Sequence, residues 1–171
     1  EPRAVTFDDE TGRLVELNLA GLDLEEAPQE IYAFDHLRKL WLGESFWKNG
    51  QMQRIGNRIH GLSPAIGHLQ ALEDLCIDNN AIAILPETIV DLPLLSVLKY
   101  ENNQLGRIPP LVFRLQQLET LWMDANGIEV IPQELCTLRN LKSLTLNENR
   151  IASLPPELGQ LATLQTLSLD S

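Results

Sequence analysis

The chain has 171 residues, 44% of them hydrophobic, with 13 basic and 24 acidic side chains and a formal net charge of −11. That length fits one domain, and the acidic balance disfavours a nucleic-acid backbone or an anionic membrane surface while favouring partners with basic groups. No run of 18 apolar residues offers a transmembrane helix, and no cationic-then-apolar leader is read at Glu1.

Residues 4–7, followed by Asp8-Asp9-Glu10-Thr11-Gly12, read as a short strand and turn that caps the amino end. Leu14, Leu17 and Leu19 then take three alternating strand positions, with Ala27-Pro28, Ile31 and Phe34 after them. In this first unit Leu22 stands where later units carry asparagine, as expected of an atypical terminal repeat. A second unit opens with Leu37, Leu40 and Leu42, is interrupted, and resumes at Asn57, Ile59, Leu62, Ile66 and Leu69.

Four segments then follow without a gap: LEDLCIDNNAIAILPETIVDLPL (72–94), LSVLKYENNQLGRIPPLVFRLQQ (95–117), LETLWMDANGIEVIPQELCTLRN (118–140) and LKSLTLNENRIASLPPELGQLAT (141–163). Their period is 23 residues, and Leu164, Leu167 and Leu169 begin another unit before Ser171. Six complete repeats and the strand of a seventh therefore fill a single domain, 1–171, with an insertion at about 43–56. In each unit the strand leucines point inward and the residues between them outward. Asn57, Asn80, Asn103, Asn126 and Asn149 recur at the bend, where an amide that both donates and accepts satisfies backbone groups. A proline at 86, 109, 132 and 155 precedes a short helical turn that buries Ile89, Val112, Leu135 and Leu158.

The L-x-x-L-x-L-x-x-N-x-[IL]-x-x-[LI]-P-x-x-[ILV]-x-x-L run over 72–163 resembles the 23-residue leucine-rich repeats of the Ras-suppressor, plant intracellular Ras-group and bacterial types. The resemblance covers about 14–171. It implies an α/β repeat fold: a curved, right-handed leucine-rich repeat solenoid with a concave parallel sheet and short 3-10 or helical turns on its convex side. For function it implies recognition of proteins, with no motif that carries over residue by residue.

Chemistry is sparse. His36, His60 and His68 converge neither with each other nor with Cys76 or Cys136, so zinc and nucleophile-base arrangements are absent. Register puts the cysteines on opposite sides of the solenoid, beyond disulfide reach. The lack of cysteine caps and N-x-[ST] sequons favours the cytoplasm, with a secreted bacterial protein as the alternative. Gly56 to Gly61 has phosphate-loop spacing, but Leu62 stands where the lysine belongs. Asp78, Glu101 and Asp124 follow the last strand position of successive units and are expected to form an acidic row along one edge, as a solvated rim or a seat for a basic partner rather than a calcium site. No catalytic residue, metal or cofactor is expected.

The recognition candidates lie on the concave face and the insertion. One outward column reads Asn18, Trp41, Cys76, Lys99, Trp122, Thr145, Ser168, and its neighbour reads Glu16, Lys39, Asp74, Val97, Thr120, Ser143, Thr166. Trp41 and Trp122 are costly to leave wet, and tryptophan is enriched at binding hot spots. The insertion, read as a loop, carries Phe46, Trp47 and Met52, either as an aromatic anchor for a partner or as a cover for core. Partner-binding residues are thus expected among Trp41, Phe46, Trp47, Asp74, Asp78, Lys99, Glu101, Trp122 and Asp124. The leading expectation is a non-enzymatic module that binds a protein or peptide on its concave face. The alternative is the sensing arm of a larger GTPase, kinase or ubiquitin ligase. A spacer or self-assembling array, meeting another copy through the open carboxyl end, is the third.

Overall fold

A computed structural model describes residues 5–170. Nine strands form, in chain order, β1 (Val5–Phe7), β2 (Leu14–Asn18), β3 (Lys39–Lys48), β4 (Gln51–Ile55), β5 (Asp74–Ile77), β6 (Val97–Lys99), β7 (Thr120–Trp122), β8 (Ser143–Thr145) and β9 (Thr166–Ser168). β2, β3, β5, β6, β7, β8 and β9 pair in parallel, one per repeat, and β1 joins β2 antiparallel at the amino end. Ala4, the first residue of the expected cap strand, lies outside the described residues. Asp8 closes the turn after β1, its carboxylate accepting the backbone N–H of Thr11 at 2.8 Å.

Register matches leucine to leucine. Leu40, Leu75, Leu98, Leu121 and Leu144 stack through the interior and are fully buried. The third inward position varies as Leu42, Ile77, Tyr100, Met123 and Leu146, all buried. Tyr100 is tolerated there because its hydroxyl donates to the Ile82 carbonyl at 2.8 Å.

The asparagines tie each bend to the next. Asn103 donates to the Ile77 and Glu101 carbonyls at 3.0 and 2.8 Å and accepts the Ile82 N–H at 3.0 Å. Asn126 and Asn149 repeat the pattern one unit on. In the first unit, which lacks the asparagine, Asn57 of the second accepts the N–H groups of Leu22 and Leu24. On the convex side each full repeat has one five-residue 3-10 helix, such as Glu87–Asp91, Pro110–Arg114 and Gln133–Thr137. Prolines 86, 109 and 132 stand at the N-cap with φ near their natural value, −69°, −62° and −74°. The result is a leucine-rich repeat solenoid.

The insertion is not a loop. β3 continues past the edge of the sheet, turns at Asn49-Gly50 and returns as β4, with Ser45 opposite Arg54 and Trp47 opposite Met52. Asn49 (φ 53°) and Gly50 (φ 75°) both have positive φ, the two-residue turn that suits the twist of a hairpin. The N-G turn is the sequence signal for it.

Candidate recognition face

The concave face is built by the two outward columns in the expected register. Trp41 pairs with Cys76, Cys76 with Lys99 and Lys99 with Trp122 along one row; Lys39, Asp74, Val97 and Thr120 form the other. Trp41, Asp74, Lys99 and Trp122 are all half-buried there. Lys99 places its ammonium over the Trp122 ring, 4.6 Å from the centroid. The Trp122 indole donates to the Ser143 hydroxyl at 3.2 Å. Lys39 is drawn the other way, to Glu16 at 2.5 Å. Thr6 also donates to Glu16, and both contacts hold that carboxyl below its ordinary range, Lys39 contributing most.

Cys76 occupies the same row but is only 3% exposed. Its thiol donates to the Gly43 carbonyl at 2.8 Å, and burial pushes its ionisation far up, so it is an inert packing residue. Cys136 is likewise free and buried on the convex side.

The acidic row is corrected. Asp78 is 1% and Glu101 8% exposed, and neither is a solvated rim. The Asp78 carboxylate accepts the Glu101 N–H at 2.8 Å. Two repeat units further, Asp124 accepts the Asn147 N–H at 2.8 Å and the Asn147 side chain at 3.0 Å. Asn147 in turn accepts the Asp170 N–H at 2.8 Å. The chain bends here, so strand alternation no longer sets side-chain direction, and Asp78, Asp124 and Asn147 cap the backbone of the following repeat. Burial, then the neighbouring Glu101, raises Asp78 to about 7. Glu101 is raised by burial and held back by a hydrogen bond from Ser45.

That bond comes from the hairpin. Asn79 donates to the Glu44 carbonyl at 2.9 Å and to the Ser45 hydroxyl at 3.1 Å. Arg54, directly opposite Ser45, reaches Glu148 in the sixth repeat at 2.7 and 2.8 Å. The hairpin therefore leans along the edge that carries Asn79, Glu101 and Glu148. Trp47 and Met52 alternate onto the same face as Ser45 and Arg54, whereas Phe46 turns to the other. Trp47 is 70% and Phe46 37% exposed, so neither shields core. Ser45, Arg54 and Glu148 were not legible as a cluster, because 94 residues separate the last two.

Four buried side-chain polar atoms among the described residues have no hydrogen-bond partner: Tyr32 Oη, Trp41 Nε1, Asp74 Oδ1 and Thr145 Oγ1. The last three are on the concave face. The Trp41 indole is near enough to Asp74 to favour its charged form somewhat, but the two do not meet at hydrogen-bond geometry; burial prevails and raises the Asp74 carboxyl. Among the described residues no group of three or more metal-ligating side chains forms, and no helix is long and apolar enough to cross a membrane.

The leucine rich repeat family model matches residues 116–171. Similar solved structures include an LRR protein of Leptospira interrogans, with 25% identity and a TM-score of 0.56 over 89% of this chain and 53% of that one. An internalin, InlF, from Listeria monocytogenes has 24% identity and a TM-score of 0.62 over 85% of this chain and 45% of that one. The leucine-rich repeat domain of the type III effector XopL has 22% identity and a TM-score of 0.61 over 85% and 57%. The chain spans about half the length of these structures. No curated protein matches it in sequence. Its last repeats match the leucine rich repeat model, and its fold is that of these leucine-rich repeat structures.

Proposed function

We propose that the chain is a non-enzymatic recognition module whose concave face holds a protein or peptide. The observation that carries this reading is the row of Trp41, Lys99 and Trp122, with Asp74 beside it, half-buried on the outward side of a rigid parallel sheet. Trp41 and Trp122 supply half-buried aromatic area, and the rigid parallel strands hold all four side chains with little ordering cost on binding. Trp47 and Phe46 stand beside this face as a side wall. A second reading, the recruiting arm of a larger protein, is favoured by the coverage of about half of the similar structures, one of which is the leucine-rich repeat domain of a type III effector. The free thiols of Cys76 and Cys136 suit a reducing, cytoplasmic setting.

Affinity capture from the source cell tests the face. The Trp41→Ala/Trp122→Ala double variant should lose the partners that the wild type retains. Equal capture by both would refute a concave site.

A further inference from the structure

The concave face carries one carboxylate that forms no ion pair, although Lys99, Trp41 and Lys39 are near enough to favour its charge. Glu16 and Lys39 pair with each other, at 2.5 Å. Lys99 lies over Trp122. Asp74 sits between these two lysines, in register with Lys39 on one side and diagonal to Lys99 on the other, yet neither forms an ion pair with it. Its Oδ1 is enclosed and accepts no hydrogen bond. The carboxylates expected to attract a basic partner, Asp78 and Asp124, are instead engaged by the backbone of the next repeat. The attraction that a net charge of −11 exerts at long range therefore has one short-range acceptor on this face, Asp74.

Its neighbours specify the chemistry of what it accepts. Trp41 adjoins it, one strand back and two residues on, and the Trp122 ring already serves as a platform for an ammonium. A carboxylate beside exposed indole faces suits a cation that donates hydrogen bonds and stacks, which a guanidinium does best and an ammonium next best.

Building on the concave-face reading, we infer that Asp74 is the specificity anchor of that face and takes a basic side chain, arginine in preference to lysine, from an extended peptide segment of a partner. The side chain pairs with the half-buried Asp74 carboxylate and lies against Trp41. Lys99, parked on Trp122, occupies the position a second basic side chain would take and so limits the site to one. The partner segment has a single basic residue at this point, not a basic run.

The test uses the full chain and acetylated, amidated pentapeptides of alanine with arginine, lysine, citrulline or glutamate at the centre. The indole N–H resonances of Trp41 and Trp122 report on the face. The arginine peptide at millimolar concentration should shift Trp41, lysine less, and citrulline, which keeps the shape and loses the charge, at least about tenfold more weakly. Asp74→Asn, which keeps the side-chain volume, should weaken the arginine peptide by a similar factor, whereas Glu87→Gln on the convex side should not. Equal binding of arginine and citrulline, or an unaffected Asp74→Asn, overturns the anchor while the concave face stands. Shifts confined to the hairpin or convex resonances overturn both. No shift with any of the peptides also overturns the anchor, and the face is then judged by the tryptophan double variant alone.

Discussion

The four uninterrupted repeats at 72–163 and the interrupted second repeat solve the same bend differently. In three of the four regular units the residue after the last strand position, Asp78, Asp124 or Asn147, caps the next repeat, and in all four the following residue, Asn79, Asn102, Ala125 or Glu148, takes positive φ, 54°, 50°, 55° and 54°. In the second unit the two corresponding positions are Gly43 and Gly56, and the hairpin is inserted between them. Both glycines press on the neighbouring repeat. A Cβ on Gly43 would come within 1.7 Å of the Asp78 carbonyl oxygen, and one on Gly56 within 1.6 Å of the Asn79 carbonyl oxygen. The hairpin leaves and rejoins at adjacent register positions, so it adds a projecting arm without changing the stack. What it needs is two backbone positions stripped of side chains.

The sharpest way to break that arrangement is Gly43→Ala. The obstacle is backbone, which cannot move aside as a flexible side chain would, and the expected loss is about 3 kcal/mol or more in urea unfolding. The same change at Gly61, where a Cβ meets nothing, should leave the midpoint nearly unmoved. A tolerated Gly43→Ala would mean that the root of the hairpin is not clamped.

Much of this was legible in the sequence, and the failures have a common cause. Period, strand register and the inward leucines follow from repetition, because each unit makes the same contacts as its neighbour. Trp41, Asp74, Lys99 and Trp122 lie on the face that alternation assigns them. Alternation fails at Asp78 and Glu101, one step beyond the strand, where the bend turns the side chains toward backbone N–H groups. It also says nothing of Arg54 and Glu148, a contact set by how far the hairpin leans. Cys76 faces outward by register yet is covered, since burial depends on the size of its neighbours as well as on direction.

The covered carboxylate offers the next test. The folded pKa of Asp78 is about 7, above its ordinary 3.8, so between these values the folded state holds more protons than the unfolded state. Its contribution to stability is full below about pH 4 and is lost as pH rises toward 7, on the order of 4 kcal/mol in all. Asp78→Asn keeps an oxygen for the Glu101 N–H and removes the charge. The variant should match the wild type near pH 4 and exceed it near pH 8 in urea midpoint; parallel profiles would contradict the burial argument. Removing residues 44–55 joins Gly43 to Gly56, restores the 23-residue period and takes away the cover. That deletion should keep the fold, and the pH slope assigned to Asp78 should shrink because its surroundings become wetter.

Within the regular stack, Asn103→Ala should cost about 1–3 kcal/mol, because it strands two buried carbonyls and the Ile82 N–H together. An unchanged thermal midpoint would show that water replaces the amide at the bend.

The smallest effect belongs to the outer end of the hairpin. Arg54 and Glu148 form a close ion pair that spans three repeats, but both side chains are well exposed. Water competes for both charges, and holding two long side chains in one geometry consumes most of the Coulomb gain, so such pairs contribute at most about 1 kcal/mol. Arg54→Ala should therefore barely move global unfolding, and the little it does should fade at high salt. The five-pair ladder between β3 and β4 does not depend on the bridge and should persist in cross-strand NMR contacts. What should change is the lean of the arm, reported by the Trp47 side-chain resonances. A loss as large as that of Asn103→Ala would mean that the hairpin is a strut of the solenoid. A small loss, with Trp47 responding, fits an arm that is clamped at its glycine root and held lightly at its outer end.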